Sequence, residues 1–187
     1  MADIKNIDPI TKNGIRILRP QEVRLLINAI PKLDHKDKFE ALLYSGARFQ
    51  ELRWLYEHQD AFKGEYILMP SMKAKARHKE RYIRLNNPGQ RAITNFLRAK
   101  RNLPVHVGWD DNLIRWAKKA GITAGGISAK TTRRTWEAFL CTSYPNNFSH
   151  IFLSQGHTQA VSLEYYLMLP FTAQEKVEIG YYTGGWL

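Results

Sequence analysis

"YSGARFQEL", residues 44–52, sets the frame of the chain. Gly46 is a breaker inside an otherwise helical pattern, so "DKFEALLY" before it and "FQELRWLYEH" after it read as two separate helices. Arg48 and Glu51 stand three apart on the second helix and share a face, where the carboxylate can hold the guanidinium. An arginine oriented in this way can grip a phosphate with two parallel hydrogen bonds. An ordinary surface ion pair is the other reading these residues allow alone.

Working outward, "RPQEVRLLINAIP" puts Pro20 at a first helical position, with Val23, Leu26, Ile27 and Ile30 at helical spacing and Pro31 as the stop. "EYILMP" and "RYIRL" are short β-prone runs, and "SMKAKARHKE" between them is too long for a tight turn; together they predict a β-hairpin with a basic loop. From about Pro88 the pattern is helical again, over roughly 88–101, 110–120, 130–141, 147–154, 158–168 and 172–180. Residues 1–18 lack a clear period and read as a leader segment. The fold class expected is α+β, mostly helical, with one small antiparallel sheet.

A length of 187 residues fits one domain with a proper core, and 44% hydrophobic with 12% aromatic content excludes a disordered chain. The balance of 28 basic against 17 acidic residues, formally +11, favours polyanionic partners, nucleic acid ahead of a membrane surface. A basic protein with no nucleic-acid role is the plainer alternative. The single cysteine, Cys141, excludes an intrachain disulfide. No apolar run approaches the ~18 residues of a membrane span, and Met1-Ala2-Asp3 starts no signal peptide. A soluble, cytoplasmic protein is expected.

Two further stretches carry candidate chemistry. In "SAKTTRRTW", residues 128–136, Ser128 is a plausible helix cap, Lys130 and Arg133 lie one turn apart, and Trp136, Phe139 and Leu140 face the core. Cations at a helix start oppose the dipole, a penalty that a bound anion would reverse. A solvated basic face remains the alternative. In "LSQGHTQAVSLEYYLML", residues 153–169, Gly156-His157 marks a helix boundary and Tyr166 follows nine residues after His157. A lone tyrosine there is most simply a core residue.

Taken in order, "SGARFQEL", "KTTRRTW", "QGH" and "LEYY" resemble the tyrosine recombinases, the phage and archaeal integrase family. Its pattern runs "TGxRxxEL", a lysine in a β-hairpin, "HxLRH", "LGH" and then "Y". The spacings between Arg48, Arg133 and Tyr166 also suit the family, over residues 19–168. The resemblance implies a site-specific DNA recombinase that needs neither metal nor cofactor. Arg48 and Arg133 would clamp the scissile phosphate, with Glu51 supporting, and Tyr166 would attack phosphorus to form a 3′-phosphotyrosyl link. Lys73 would be the general acid on the leaving oxygen, with Lys75 the alternative, and His157 would donate to a non-bridging oxygen. Arg77, Lys79 and Arg134 would contact DNA, and Tyr165 would pack or face it.

Two positions depart from the family pattern. Lys130 stands where most members have histidine, a substitution familiar among integrases of archaeal viruses, and "SQGH" replaces "LGH". A lysine at position 130 can donate to the phosphate; at its usual pKa it cannot accept a proton near neutrality. The chain divides as leader 1–18, catalytic domain 19–169 and a C-terminal tail 170–187, in which Thr172 caps a helix, with Glu175 three residues on, and Gly180 closes it. That tail is expected to dock on a neighbouring protomer or on its own domain. Only about 18 residues precede the first matched helix, so the family's N-terminal DNA-clamping domain is not expected in this chain. Expected partners are double-stranded DNA attachment sites and further copies of the chain, a tetramer in the synapse and a monomer when free. The competing readings are a type IB topoisomerase-like nicking-closing enzyme and a catalytically inactive DNA-binding module.

Overall fold

The computed structural model describes residues 8–70, 80–99, 107–156 and 165–187. It opens with a hairpin, β1 (Ile10–Lys12) and β2 (Ile15–Ile17), within the residues read from sequence as a leader. Lys12 pairs with Ile15 across Asn13-Gly14, both with positive φ, which is the two-residue turn that matches strand twist. Ile10, Ile17 and Leu18 are buried, and Leu18 N donates to Thr135 Oγ1 at 2.9 Å. Part of the stretch read as a leader, from Ile10 to Leu18, is thus core material, and two small sheets form among the described residues where one was expected.

The next elements follow the sequence signals closely. Helix α1 (Pro20–Ala29) starts at Pro20; α2 (Leu33–Ser45) stops at Gly46, whose φ of 62° closes the helix; α3 (Phe49–Glu57) begins one residue after Arg48. Strands β3 (Tyr66–Pro70) and β4 (Glu80–Arg84) pair antiparallel, Leu68 opposite Tyr82. Helices α4 (Asn87–Arg98), α5 (Val107–Lys119), α6 (Thr131–Ser143) and α7 (Phe148–Gln155) come next. A 3-10 turn covers Tyr165–Met168, and α8 runs Ala173–Thr183. The described part of the helix expected over 158–168 is therefore this turn; the rest lies outside the described residues.

Helix α6 is the axis of the domain. It touches α2, α7, α8, β2 and the Tyr165–Met168 turn, and nearly every residue from Thr131 to Cys141 is buried. Trp136, Phe139 and Leu140 supply its apolar contacts, each contributing about 1.5–3 kcal/mol by burial. A helix enclosed on several sides must satisfy its polar residues internally, and its partners hold Arg133, Thr135 and Glu137 in place. The start of α6 differs from expectation. Lys130 occupies the cap position, while Ser128 Oγ accepts from Lys130 N at 3.3 Å in the preceding turn.

The C-terminal segment is seated on its own domain. Thr172 caps α8 by accepting from Glu175 N at 3.2 Å, as its sequence indicates, but the helix passes through Gly180 to Thr183. Glu175 accepts from Arg19 Nη1 at 2.8 Å, and the fully buried Trp186 donates from Nε1 to Arg84 O at 3.0 Å. Among the described residues no helix is long and apolar enough to cross a membrane.

Candidate active site

Gly46 brings the two arginine segments together. Its left-handed φ of 62° ends α2 and sends the chain directly into Arg48, and its carbonyl oxygen accepts from Arg133 Nη1 at 2.8 Å. A Cβ at this position would lie 2.7 Å from Trp136 Cδ1, so the approach of the two segments requires glycine.

Arg48 precedes α3, and Glu51 turns back to it: the Arg48 N–H donates to Glu51 Oε2 at 2.7 Å and its Nη1 to Oε1 at 2.6 Å. Arg81, on β4, makes a two-pronged contact with the same carboxylate, each prong 2.9 Å. Burial by itself would raise the Glu51 carboxyl, but the Arg81 fork together with Arg48 holds it at about 2. Glu51 is fully buried, while the Arg48 side chain is 41% exposed. An anchored arginine with an open face is what results. Arg81 also donates from Nε to Ser154 O at 3.1 Å, which ties the hairpin to α7.

Arg133 has its guanidinium fixed on three sides. Nη1 donates to Gly46 O, Nη2 to Gln155 O, and Nε pairs with Glu137 Oε1 at 2.9 Å. Burial, with Arg48 and Arg81 nearby, draws its pKa down to about 10 against the opposing pull of Glu137. The carbonyl of Gln155 sits at the end of α7, where Gly156 closes the helix at φ 64°. The segment ahead of His157 therefore holds the second arginine.

Tyr166 completes the described part of the site. It is 1% exposed, and its hydroxyl donates to Glu137 Oε2 at 2.8 Å while accepting from Arg134 Nη1 at 3.0 Å. Lys12 Nζ lies 3.9 Å from the centre of its ring. Burial first, and the Glu137 carboxylate second, push the phenol pKa strongly upward, with Arg134 opposing. The neighbouring Tyr165 is exposed, and its hydroxyl donates to Thr11 O at 3.1 Å.

Of the residues singled out from sequence, Arg48, Glu51, Arg133, Arg134 and Tyr166 belong to this one connected region, and Lys130 is exposed at the head of α6. Arg134 bonds the tyrosine hydroxyl and the Glu137 carboxylate, where a DNA contact was expected. Lys73, Lys75, Arg77, Lys79 and His157 lie outside the described residues. Sequence reading missed Glu137, Arg81 and Lys12. Glu137 was discoverable, because it stands one turn beyond both Arg133 and Arg134 on a helix. Arg81 and Lys12 act across the fold and leave no local signal.

No protein-family model matches the sequence, and comparison with curated proteins finds no match. Solved structures do match. XerA recombinase superposes with a TM-score of 0.66 at 18% identity over 91% of this chain and 66% of its own. The Tn1549 transposon integrase bound to circular intermediate DNA gives 0.65 at 15% identity, over 94% of this chain and 69% of its own. A lambda integrase dimer bound to a COC′ core site gives 0.61 at 14% identity, over 84% and 61%. The chain spans about two thirds of the length of these structures. At such identities the likeness defines the fold: this is the fold of the tyrosine-recombinase catalytic domain.

Proposed function

We propose that this chain is the catalytic domain of a site-specific DNA recombinase or integrase, acting on double-stranded DNA through a covalent 3′-phosphotyrosyl intermediate. The observation that carries the reading is the linkage of Tyr166 to Arg133 through the single carboxylate of Glu137, a few ångströms from each. Of two adjacent tyrosines, the one wired to the arginines is the one at the nucleophile's place in the motif order.

Arg48, anchored by Glu51 and open on one face, and Arg133, with its plane fixed, hold the non-bridging oxygens of the scissile phosphate. Attack builds negative charge there, and cations already in place stabilise it without reorganising. The Tyr166 oxygen forms a bond to phosphorus, the bond to the 5′ oxygen breaks, and that oxygen takes a proton from Lys73 or Lys75. Lys130 and His157 add donors to the phosphate. The phosphodiester energy stays in the tyrosyl link, so rejoining needs neither metal nor nucleotide. In the free protein Tyr166 is buried, so engagement with DNA has to uncover its hydroxyl. A formal charge of +11 favours DNA, with binding that weakens steeply as salt rises. Strand exchange takes place in a homotetramer on two attachment sites.

The test is incubation with a nicked suicide duplex followed by a denaturing gel. A covalent adduct that disappears in Tyr166→Phe is expected. DNA binding without any adduct would leave only a DNA-binding module. Relaxation of supercoils with no joining of two duplexes would assign a topoisomerase.

A further inference from the structure

We propose that Glu137 is the general base that takes the Tyr166 phenol proton, an inference that rests on the tyrosyl chemistry proposed above. An activated nucleophile is recognised by its geometry: the base within hydrogen-bond reach, and the base itself oriented by a third group. Both conditions are met. Tyr166 Oη donates to Glu137 Oε2 at 2.8 Å, and the other carboxylate oxygen, Oε1, is pinned by Arg133 Nε at 2.9 Å. Glu137 is fully buried in the middle of α6, so its position is fixed by the helix.

The surroundings also suit the product of the transfer. Arg134 Nη1 already donates to the phenol oxygen at 3.0 Å, and Lys12 Nζ sits 3.9 Å from the ring centre. Around Glu137 and Tyr166 stand Arg133, Arg134 and Cys141 on α6, Lys12 from β1 and Tyr165 from the 3-10 turn. Among the described residues three of these are cations, against the one carboxylate of Glu137. Once the proton has passed to Oε2, the negative charge on the phenolate oxygen lies beside Arg134, with Lys12 over the ring, and Arg133 no longer faces a carboxylate that offsets its charge. In balance, the Oη–H bond breaks and its proton goes to Glu137. The oxygen lone pair forms the bond to phosphorus, and the departing 5′ oxygen takes a proton from the hairpin lysine.

The experiment is single-turnover adduct formation on two suicide duplexes, one with an oxygen and one with a sulfur as the 5′ leaving atom. Sulfur leaves without needing a proton, so it rescues loss of the general acid and does not rescue loss of the base. With Glu137→Gln, adduct formation is expected to fall about 100-fold or more on both duplexes, with Glu137→Asp retaining part of the rate. A Glu137→Gln protein that cleaves as fast as the parent, or faster, would overturn the proposal and make the contact a restraint on the resting tyrosine. If Glu137→Gln does not fold, the parent protein decides the matter. On the sulfur duplex its cleavage should slow in D2O, because the only proton in flight is that of Tyr166; no isotope effect overturns the proposal. Absence of any Tyr166 adduct in the parent protein would instead refute the recombinase reading itself.

Discussion

Arg133 Nη1 donates to the carbonyl oxygen of Gly46 at 2.8 Å, so the second phosphate-clamp candidate is a structural strut between α6 and the α2–α3 corner. Arg48, on the same corner, is not: its side chain is 41% exposed and its partner Glu51 keeps the Arg81 fork. The two arginines should therefore separate in stability assays. Arg133→Ala leaves Glu137 buried without its Nε partner and is expected to lose about 3–5 kcal/mol. Arg48→Ala should lose less than about 1 kcal/mol. Both should abolish adduct formation. Urea denaturation beside the gel assay checks this; equal stability losses would contradict it.

Glu51 makes stability depend on acid. Its folded pKa, about 2, lies below the ordinary 4.5, so ionised Glu51 stabilises the fold above about pH 4.5. That contribution drains away as pH falls from there toward 2 and is on the order of 3 kcal/mol in total. Denaturation midpoints measured between pH 6 and pH 2.5 should fall more steeply for the parent than for Glu51→Gln. Parallel curves would show that the Arg81 fork does not hold the carboxylate as described.

Gly46→Ala should be costly. An alanine would have to hold φ near 62° and place its Cβ 2.7 Å from Trp136 Cδ1, combining backbone strain with overpacking. A loss of roughly 2–4 kcal/mol is expected from the two effects together. Thermal melting would reveal it, and an unchanged melting temperature would mean that the corner relaxes.

Cys141 should be inert in the folded protein. Burial first, then the Glu137 carboxylate, push its thiol up to about 12, and no thiolate is present near neutrality. A thiol reagent at pH 8 should label it only after denaturation. Rapid labelling of native protein would show that α6 is open.

The C-terminal segment should fold in cis. Trp186→Ala removes a fully buried indole and its bond to Arg84 O, and is expected to lose about 3–5 kcal/mol. Because α8 is seated on its own domain, the melting temperature of the free protein should not change with protein concentration. A concentration-dependent melt would mean that copies exchange this segment.

Much of the architecture was written locally. Gly46, Pro20 and the Thr172–Glu175 cap punctuate helices through backbone conformation and neighbouring donors, which a short window of sequence contains. The β3–β4 hairpin was legible from its two β-prone runs. The β1–β2 hairpin also carries a local signal in Asn13-Gly14, but strands of three residues each are too short for an alternating pattern to show. The extension of α8 through Gly180 was not, because a glycine inside a helix costs only about 1 kcal/mol and tertiary contacts of Thr183 and Trp186 exceed that.

What the sequence determined by itself was the order of most elements from Pro20 onward, because helix stops, caps and β-prone runs are local properties, while Arg48, Arg133 and Tyr166 stood out as the residues to watch through the ordered resemblance of their motifs. The tertiary structure alone decided their partners. Arg81 reaches Glu51 on α3 from strand β4, Lys12 covers Tyr166 from the first strand, and Glu137 joins the tyrosine to the arginine. These are buried charges, and a buried charge is stable only where the folded chain brings its counter-charge within bonding distance, whatever their separation in sequence.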